Sequence, residues 1–207
     1  MVDPSPKIWY VSYGSNLSWA RFRCYLSGGT PPGAQRANRG ARDPSPPQAD
    51  VAVTLPGQVY FACDSTMWAG GVAFYDSAVP ATTLARGYLL TNEQFADVMA
   101  QELGGLSGTL PAVPTLEAGD RLEMTAGRYG TLVGCGQRQG VPMATFSAPW
   151  CMADVDLHAP SLAYLVTLAT GLSESHGLDL FGQAAYLAGL PGTAARWDAA
   201  SLVDALS

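Results

Sequence analysis

Ile8-Trp9-Tyr10-Val11-Ser12-Tyr13-Gly14-Ser15-Asn16-Leu17-Ser18-Trp19 is the stretch on which the fold turns. Its first half is β-branched and aromatic, the composition of a pleated, buried strand. Gly14 breaks the run, and Ser15 and Asn16 then stand ready as N-caps for a helix opening at Leu17. The expectation is strand, tight turn, helix start. At such a junction several backbone N–H groups lack partners and point one way, which suits an anion. Gly14 allows a ligand to approach the backbone closely, and the Ser15 hydroxyl and Asn16 amide can hold a carboxylate or an ammonium. The plain alternative is a capped strand-to-helix turn that binds nothing.

Working outward, Ser18 to Leu26 reads as a short helix with Trp19, Phe22 and Leu26 on one face, stopped by Gly28-Gly29. Residues 30–50 carry few apolar anchors, and Arg36, Arg39 and Arg42 lie three apart. A connection of this length is either functional or a solvated, flexible excursion. Folded over a site, its arginines would meet an acidic substrate. Strand signals follow at Gln58–Cys63, Gly71–Tyr75 and Leu84–Leu90, with Trp68-Ala69-Gly70-Gly71 just ahead of the second. That Trp–Gly–Gly element suits a buried tryptophan beside a bulge. Gly104 to Glu123, rich in Pro and Gly, reads as a flap or partner surface. Tyr129–Val133 and Val141–Ser147 are two further strands, and Pro160–Ser175 is an amphipathic helix stopped by Gly177. Tyr186-Leu187 closes another short helix, and residues 193–207 form a helical surface tail.

Between the strand ending at Leu90 and the Pro/Gly stretch lies a helix of different character. Thr91 or Asn92 caps it, and Glu93 in its first turn favours the dipole. At about 100° per residue, Phe95, Val98 and Met99 share one face, and Glu102 falls in the middle of it. Glu93, Asp97 and Gln101 fall on the opposite side. A carboxylate inside an apolar stripe is costly unless used, and burial lifts its pKa towards the range of proton transfer at neutral pH. The alternative is a glutamate at a fraying helix end that turns to solvent or pairs with an arginine.

Composition narrows the classes. The 207 residues can bury one good core, so a single domain over 1–207 is expected. A net charge of −6 argues against nucleic-acid or anionic-membrane surfaces. With 23 Gly and 15 Pro, a mixed α/β (α+β) fold is favoured over a helix bundle. Met1 to Lys7 has no apolar leader core, and no stretch has the length of a membrane span, so the expected compartment is cytoplasmic. Cys24, Cys63, Cys135 and Cys151 make no C-x-x-C pair and read as buried thiols. With His158 and His176 the only histidines, no metal site is expected. His176, at a helix end, reads as structural.

Tyr13-Gly14-Ser15-Asn16-Leu17, directly after an N-terminal strand, resembles the substrate-binding loop of the γ-glutamylcyclotransferase-like family. Arg86-Gly87-Tyr88-Leu89-Leu90, followed by a helix ending Gln101-Glu102, resembles the segment that carries the family's catalytic glutamate. Glu102 matches that residue, although Leu103 stands where the family has glycine, before Gly104-Gly105. Trp68 with its glycine pair, and Tyr164 within Pro160-Ser161…Gly171…His176-Gly177, match positions near the family's pocket. The resemblance runs from about Trp9 to Leu190. It implies a small β-barrel with helices outside, no cofactor, and a small γ-glutamyl amide as partner, in a monomer or homodimer. It also implies a reaction in which the substrate's α-amine attacks its own γ-amide to give 5-oxoproline and a free amine. Glu102 would be the proton shuttle; Tyr13 to Leu17, Trp68 and Tyr164 would bind substrate. Two alternatives stay open: an amide hydrolase or acyltransferase using the same pocket, and a non-catalytic ligand-binding member.

Overall fold

The computed structural model describes residues 6–34, 36–103 and 115–207. The expectations for residues 1–5 and for 104–114 of the Pro/Gly stretch, including Gly104-Gly105, fall outside these residues.

In chain order the strands are β1 (Lys7–Ser12), β2 (Asp50–Pro56), β3 (Gln58–Ser65), β4 (Gly70–Asp76), β5 (Thr82–Thr91), β6 (Arg121–Glu123), β7 (Thr131–Arg138) and β8 (Val141–Ser147). The helices are α1 (Trp19–Ser27), α2 (Asn92–Glu102), α3 (Leu162–His176), α4 (Leu180–Ala188) and α5 (Ala199–Leu206). Six strands form one sheet in the order β2-β5-β1-β8-β7-β6, while β3 and β4 pair as a separate hairpin. β1 is central, antiparallel to β5 and parallel to β8.

The period of two along β1 divides the molecule. Ile8 and Tyr10 face a core built with Phe22 and Tyr25 of α1 and with Phe95, Val98 and Met99 of α2. Val11 and Tyr13 face the opposite core, shared with the β3–β4 hairpin and with Tyr164, Leu165 and Leu168 of α3. A strand buried on both faces reads as a near-continuous apolar run, which is what Ile8–Val11 is.

The mixed α/β architecture stands, but the barrel does not. Among the described residues the sheet is open, with β2 and β6 as its edges. The chain that would close it is used elsewhere: β3 and β4 pair with each other and lie across one face, and β6 is three exposed residues long. The reading from sequence also passed over β2 and β6. β2 does carry a signal: Val53 and Leu55 are buried while Ala52 and Thr54 are exposed, and Pro56 suits an edge. β6 carries none.

Residues 36–49 run along α2 and the sheet edge. Asn38 bridges Gly29, Gln94 Nε2 donates to the carbonyls of Asp43 and Ser45, and Gln48 and Ala49 bond to Leu89. Arg42 pairs with Glu93 at 2.9 Å and Asp97 at 3.0 Å. In the tail, α5 starts at an Asp198/Ser201 capping box and buries Leu202. Cys24 is buried, Cys63 and Cys135 are half-buried and Cys151 is exposed, so the expectation of four buried thiols fails at Cys151. Among the described residues no helix is long and apolar enough to cross a membrane.

Candidate active site

β1 ends at Ser12, a single 3-10 turn spans Ser15–Leu17, and α1 begins at Trp19. Strand, turn and helix are in the expected order, but the caps are not those expected. Gly14 and Ser18 hold the two N-cap positions, neither with a side-chain cap bond. The Ser15 and Asn16 side chains are thereby released from capping and turn to other partners. Nor does the start of α1 await an anion: the Trp19 N–H donates to Glu174 Oε2 at 2.8 Å.

Several elements pin this loop. Tyr88 of β5 donates its hydroxyl to the Asn16 carbonyl at 2.8 Å, and Arg86 Nη1 donates to the Leu17 carbonyl at 2.9 Å. Arg86 is itself buried, held by Glu174 at 2.5 Å and by Asp50 of β2. The Tyr13 hydroxyl donates to the Phe146 carbonyl at 2.7 Å. Across the loop, Gly171 of α3 lies so close that a Cβ there would sit 2.4 Å from Leu17 backbone. Only glycine permits that approach.

Glu102 is the last residue of α2, whose start is a reciprocal Thr91/Gln94 capping box. Its Oε1 accepts from Asn16 Nδ2 at 3.2 Å, and the same Nδ2 donates to the Tyr10 hydroxyl at 3.1 Å. Burial pushes the Glu102 carboxyl above the ordinary carboxylate range, while Tyr25, Arg21 and Asn16 pull it part of the way back. The Tyr164 hydroxyl, buried and accepting the Ala73 N–H at 3.2 Å, is raised to about 12. Tyr10 and Tyr25 are also raised, mainly by burial, so all three stay protonated at neutral pH.

These groups surround one cavity of about 310 Å³. Of the residues singled out from sequence, Tyr13, Gly14, Ser15, Asn16, Trp68, Tyr164 and Glu102 line it. Leu17 does not. It is buried behind the loop against α3, because the 3-10 turn directs it into the core while its carbonyl faces Arg86. Trp68 reaches the wall from the β3–β4 connection, 4.7 Å from the Tyr164 ring. The glycine pair after it lets the chain at 158–160 cross β4: a Cβ on Gly71 would lie 2.1 Å from the His158 carbonyl. His176 sits outside the lining, its Nε2 2.9 Å from the Ala85 carbonyl.

The sequence reading missed Tyr10, Arg21, Tyr25, Asn38, Gln101 and Tyr129, which also line the cavity. Arg21 and Tyr25, one helical turn apart, were the available signal, a polar pair on the buried side of α1. Gln101 had been assigned to the solvent side of α2; instead it donates to the Tyr25 carbonyl at 2.9 Å, because α1 packs there. Among the described residues no group of three or more His, Cys, Asp or Glu side chains is placed to hold a metal ion.

No family model matches the sequence. Histone deacetylase 5 of Arabidopsis thaliana is 32% identical over 199 residues, which cover 87% of this chain. The chain spans 30% of that protein's length. Two solved structures share the fold across 97% of this chain and 98% of their own. One is an uncharacterized protein from Homo sapiens, with a TM-score of 0.54 at 16% identity. The other is a gamma-glutamyl cyclotransferase, with a TM-score of 0.51 at 17% identity. At such identities the likeness is one of fold, and the fold is that of the gamma-glutamyl cyclotransferase structure.

Proposed function

We propose that the cavity takes a γ-glutamyl amide and closes its γ-glutamyl group to 5-oxoproline, with release of the amine. The observation that carries this is the contact of Glu102 Oε1 with Asn16 Nδ2 at 3.2 Å, which sets a half-buried carboxyl against the Tyr13–Leu17 loop. The fold shared with the cyclotransferase structure supports it.

The chemistry asks little of the protein. Glu102 takes a proton from the substrate's α-ammonium. The freed amine attacks the γ-carbonyl carbon, forming the ring C–N bond. The bond to the leaving nitrogen then breaks as Glu102 returns the proton to it, and the ring nitrogen gives up its second surplus proton to the released amine, which departs as an ammonium. No water is consumed and the proton count closes. Holding amine and carbonyl in a near-attack geometry is worth effective molarities of about 10⁵–10⁸ M. General acid–base assistance adds about 10²–10⁴-fold, and the raised Glu102 pKa brings the shuttle closer to operating pH. Asn16 fixes the carboxyl, and the Tyr10 and Tyr164 hydroxyls, which accept hydrogen bonds from Asn16 and the Ala73 N–H, keep a proton to donate to developing negative charge.

The test uses γ-glutamyl amides and dipeptides in ¹⁸O-labelled water, with products weighed by mass spectrometry. Cyclotransfer gives unlabelled 5-oxoproline. Hydrolysis gives glutamate carrying the heavy oxygen, and a pure binder gives neither; either result sinks the proposal. Glu102→Gln keeps shape and loses the shuttle, so turnover is expected to fall by at least about 10²-fold with binding retained.

A further inference from the structure

Two arginines are buried in this protein, Arg21 and Arg86, and they are treated differently. Arg86 is neutralised by Asp50 and Glu174. Arg21, 7% exposed, takes part in none of the five ion pairs among the described residues. An arginine keeps its charge in a protein, and although the Glu102 carboxylate in the same cavity acts on Arg21, the two form no ion pair, so the buried charge is expensive unless a ligand supplies a direct partner.

The guanidinium is nonetheless held in one orientation. Its Nε donates to Ser15 Oγ at 2.8 Å, and its plane lies over Trp68, 4.9 Å from the ring centre. That leaves the Nη end. Nη1 is shielded from water and has no partner among the described residues, and Nη2 meets only the Met67 thioether at 3.7 Å. A thioether is a weak acceptor on a pliable side chain, and Met67 is 50% exposed at the cavity wall. A carboxylate entering the cavity can displace it and accept both Nη donors end-on. In the same cavity, Asn16 spends Nδ2 on Tyr10 and Glu102 and keeps an Oδ1 unpartnered among the described residues, an acceptor suited to an ammonium.

We infer that Arg21 is the anchor for the substrate's α-carboxylate, with the α-ammonium falling between Asn16 Oδ1 and Glu102, so that ligands with a free α-carboxylate are preferred. The inference rests on reading the cavity as a γ-glutamyl site. It assigns the anion to a side chain of α1 instead of to the loop backbone.

The test compares 5-oxoproline with its neutral isostere 5-oxoprolinamide by calorimetric titration. In parallel, turnover of a γ-glutamyl amide is compared with that of its α-carboxamide. Wild type is expected to favour the carboxylate by on the order of 10- to 100-fold in each assay, the range of a hydrogen-bonded charge pair. Arg21→Gln, its fold checked by circular dichroism, is expected to erase that preference by weakening the carboxylate alone. Arg21→Lys retains the charge without the planar fork and is expected to keep part of it. The assignment is overturned if wild type binds neither ligand or does not discriminate. It is equally overturned if Arg21→Gln weakens both alike, or if preference persists undiminished in Arg21→Gln or Arg21→Lys. Turnover with an Arg21-independent preference would sink the anchor and spare the cyclotransfer. An Arg21-dependent preference without turnover would do the reverse.

Discussion

Glu102 binds its proton more tightly in the folded chain than a free glutamate does, because burial disfavours the charge more than Tyr25, Arg21 and Asn16 favour it. A raised folded pKa contributes stability that is fully present below the unfolded value of 4.5 and is lost as pH rises through the folded value. Glu102→Gln has no such charge to bury. It is therefore expected to exceed wild type in urea midpoint at pH 7, with the difference shrinking to nothing near pH 4. A Gln variant less stable than wild type at pH 7 would mean that the ionised carboxylate is welcome where it sits. The same pKa sets the acid limb of kcat/KM above the ordinary carboxylate range. This residue was legible in the sequence because α2 has a clean apolar stripe and the carboxylate interrupts it. Arg21 was not: what covers it, Met67 and Trp68, arrives from a hairpin more than forty residues away.

At the scale of elements, the site depends on how α3 meets the loop. Gly171 sits where a Cβ would lie 2.4 Å from Leu17, so Gly171→Ala must push the helix or the loop aside. Overpacking of this kind costs about 1–3 kcal/mol, and here the displaced piece is the turn that carries Asn16. The expected outcome is a lower melting temperature together with a raised KM. Thr170→Ala, on the exposed side of the same helix, should change neither. An unaffected Gly171→Ala would mean that the contact is soft and the loop is held by Arg86 and Tyr88 alone. Helices and central strands could be read in advance because each is periodic and most bury one face. The barrel could not be tested that way. Whether a sheet closes depends on which edge strands pair, and here β3 and β4 pair with each other and leave β2 and β6 as edges, a choice that no local pattern records.

Across the whole molecule, the cavity is assembled from pieces distant in sequence: the loop after β1, the end of α2, the β3–β4 turn, Tyr164 of α3, and Asn38 from the long connection. Asn38 is the least expected of these. Its Nδ2 is buried and unpartnered among the described residues, and its backbone is tied to Gly29 at 2.8 Å and 3.2 Å. A few residues on, Arg42 clasps Glu93 and Asp97 of α2, so the segment is anchored at Asn38 and again at Arg42. The clasp is exposed, and exposed ion pairs contribute only about 0.2–1 kcal/mol each. Arg42→Ala should therefore leave the urea midpoint nearly unchanged. Local opening is a separate matter, because a segment with few apolar contacts draws its order from such polar ties. We expect hydrogen exchange across residues 38–49 to quicken in Arg42→Ala while the rest of the chain is unaffected, and KM to rise as Asn38 loses its fixed place. Binding of a γ-glutamyl ligand should slow the same amides in wild type, since the ligand gives Asn38 Nδ2 an acceptor. Exchange that is equal in the two proteins and indifferent to ligand would place residues 38–49 outside the working site.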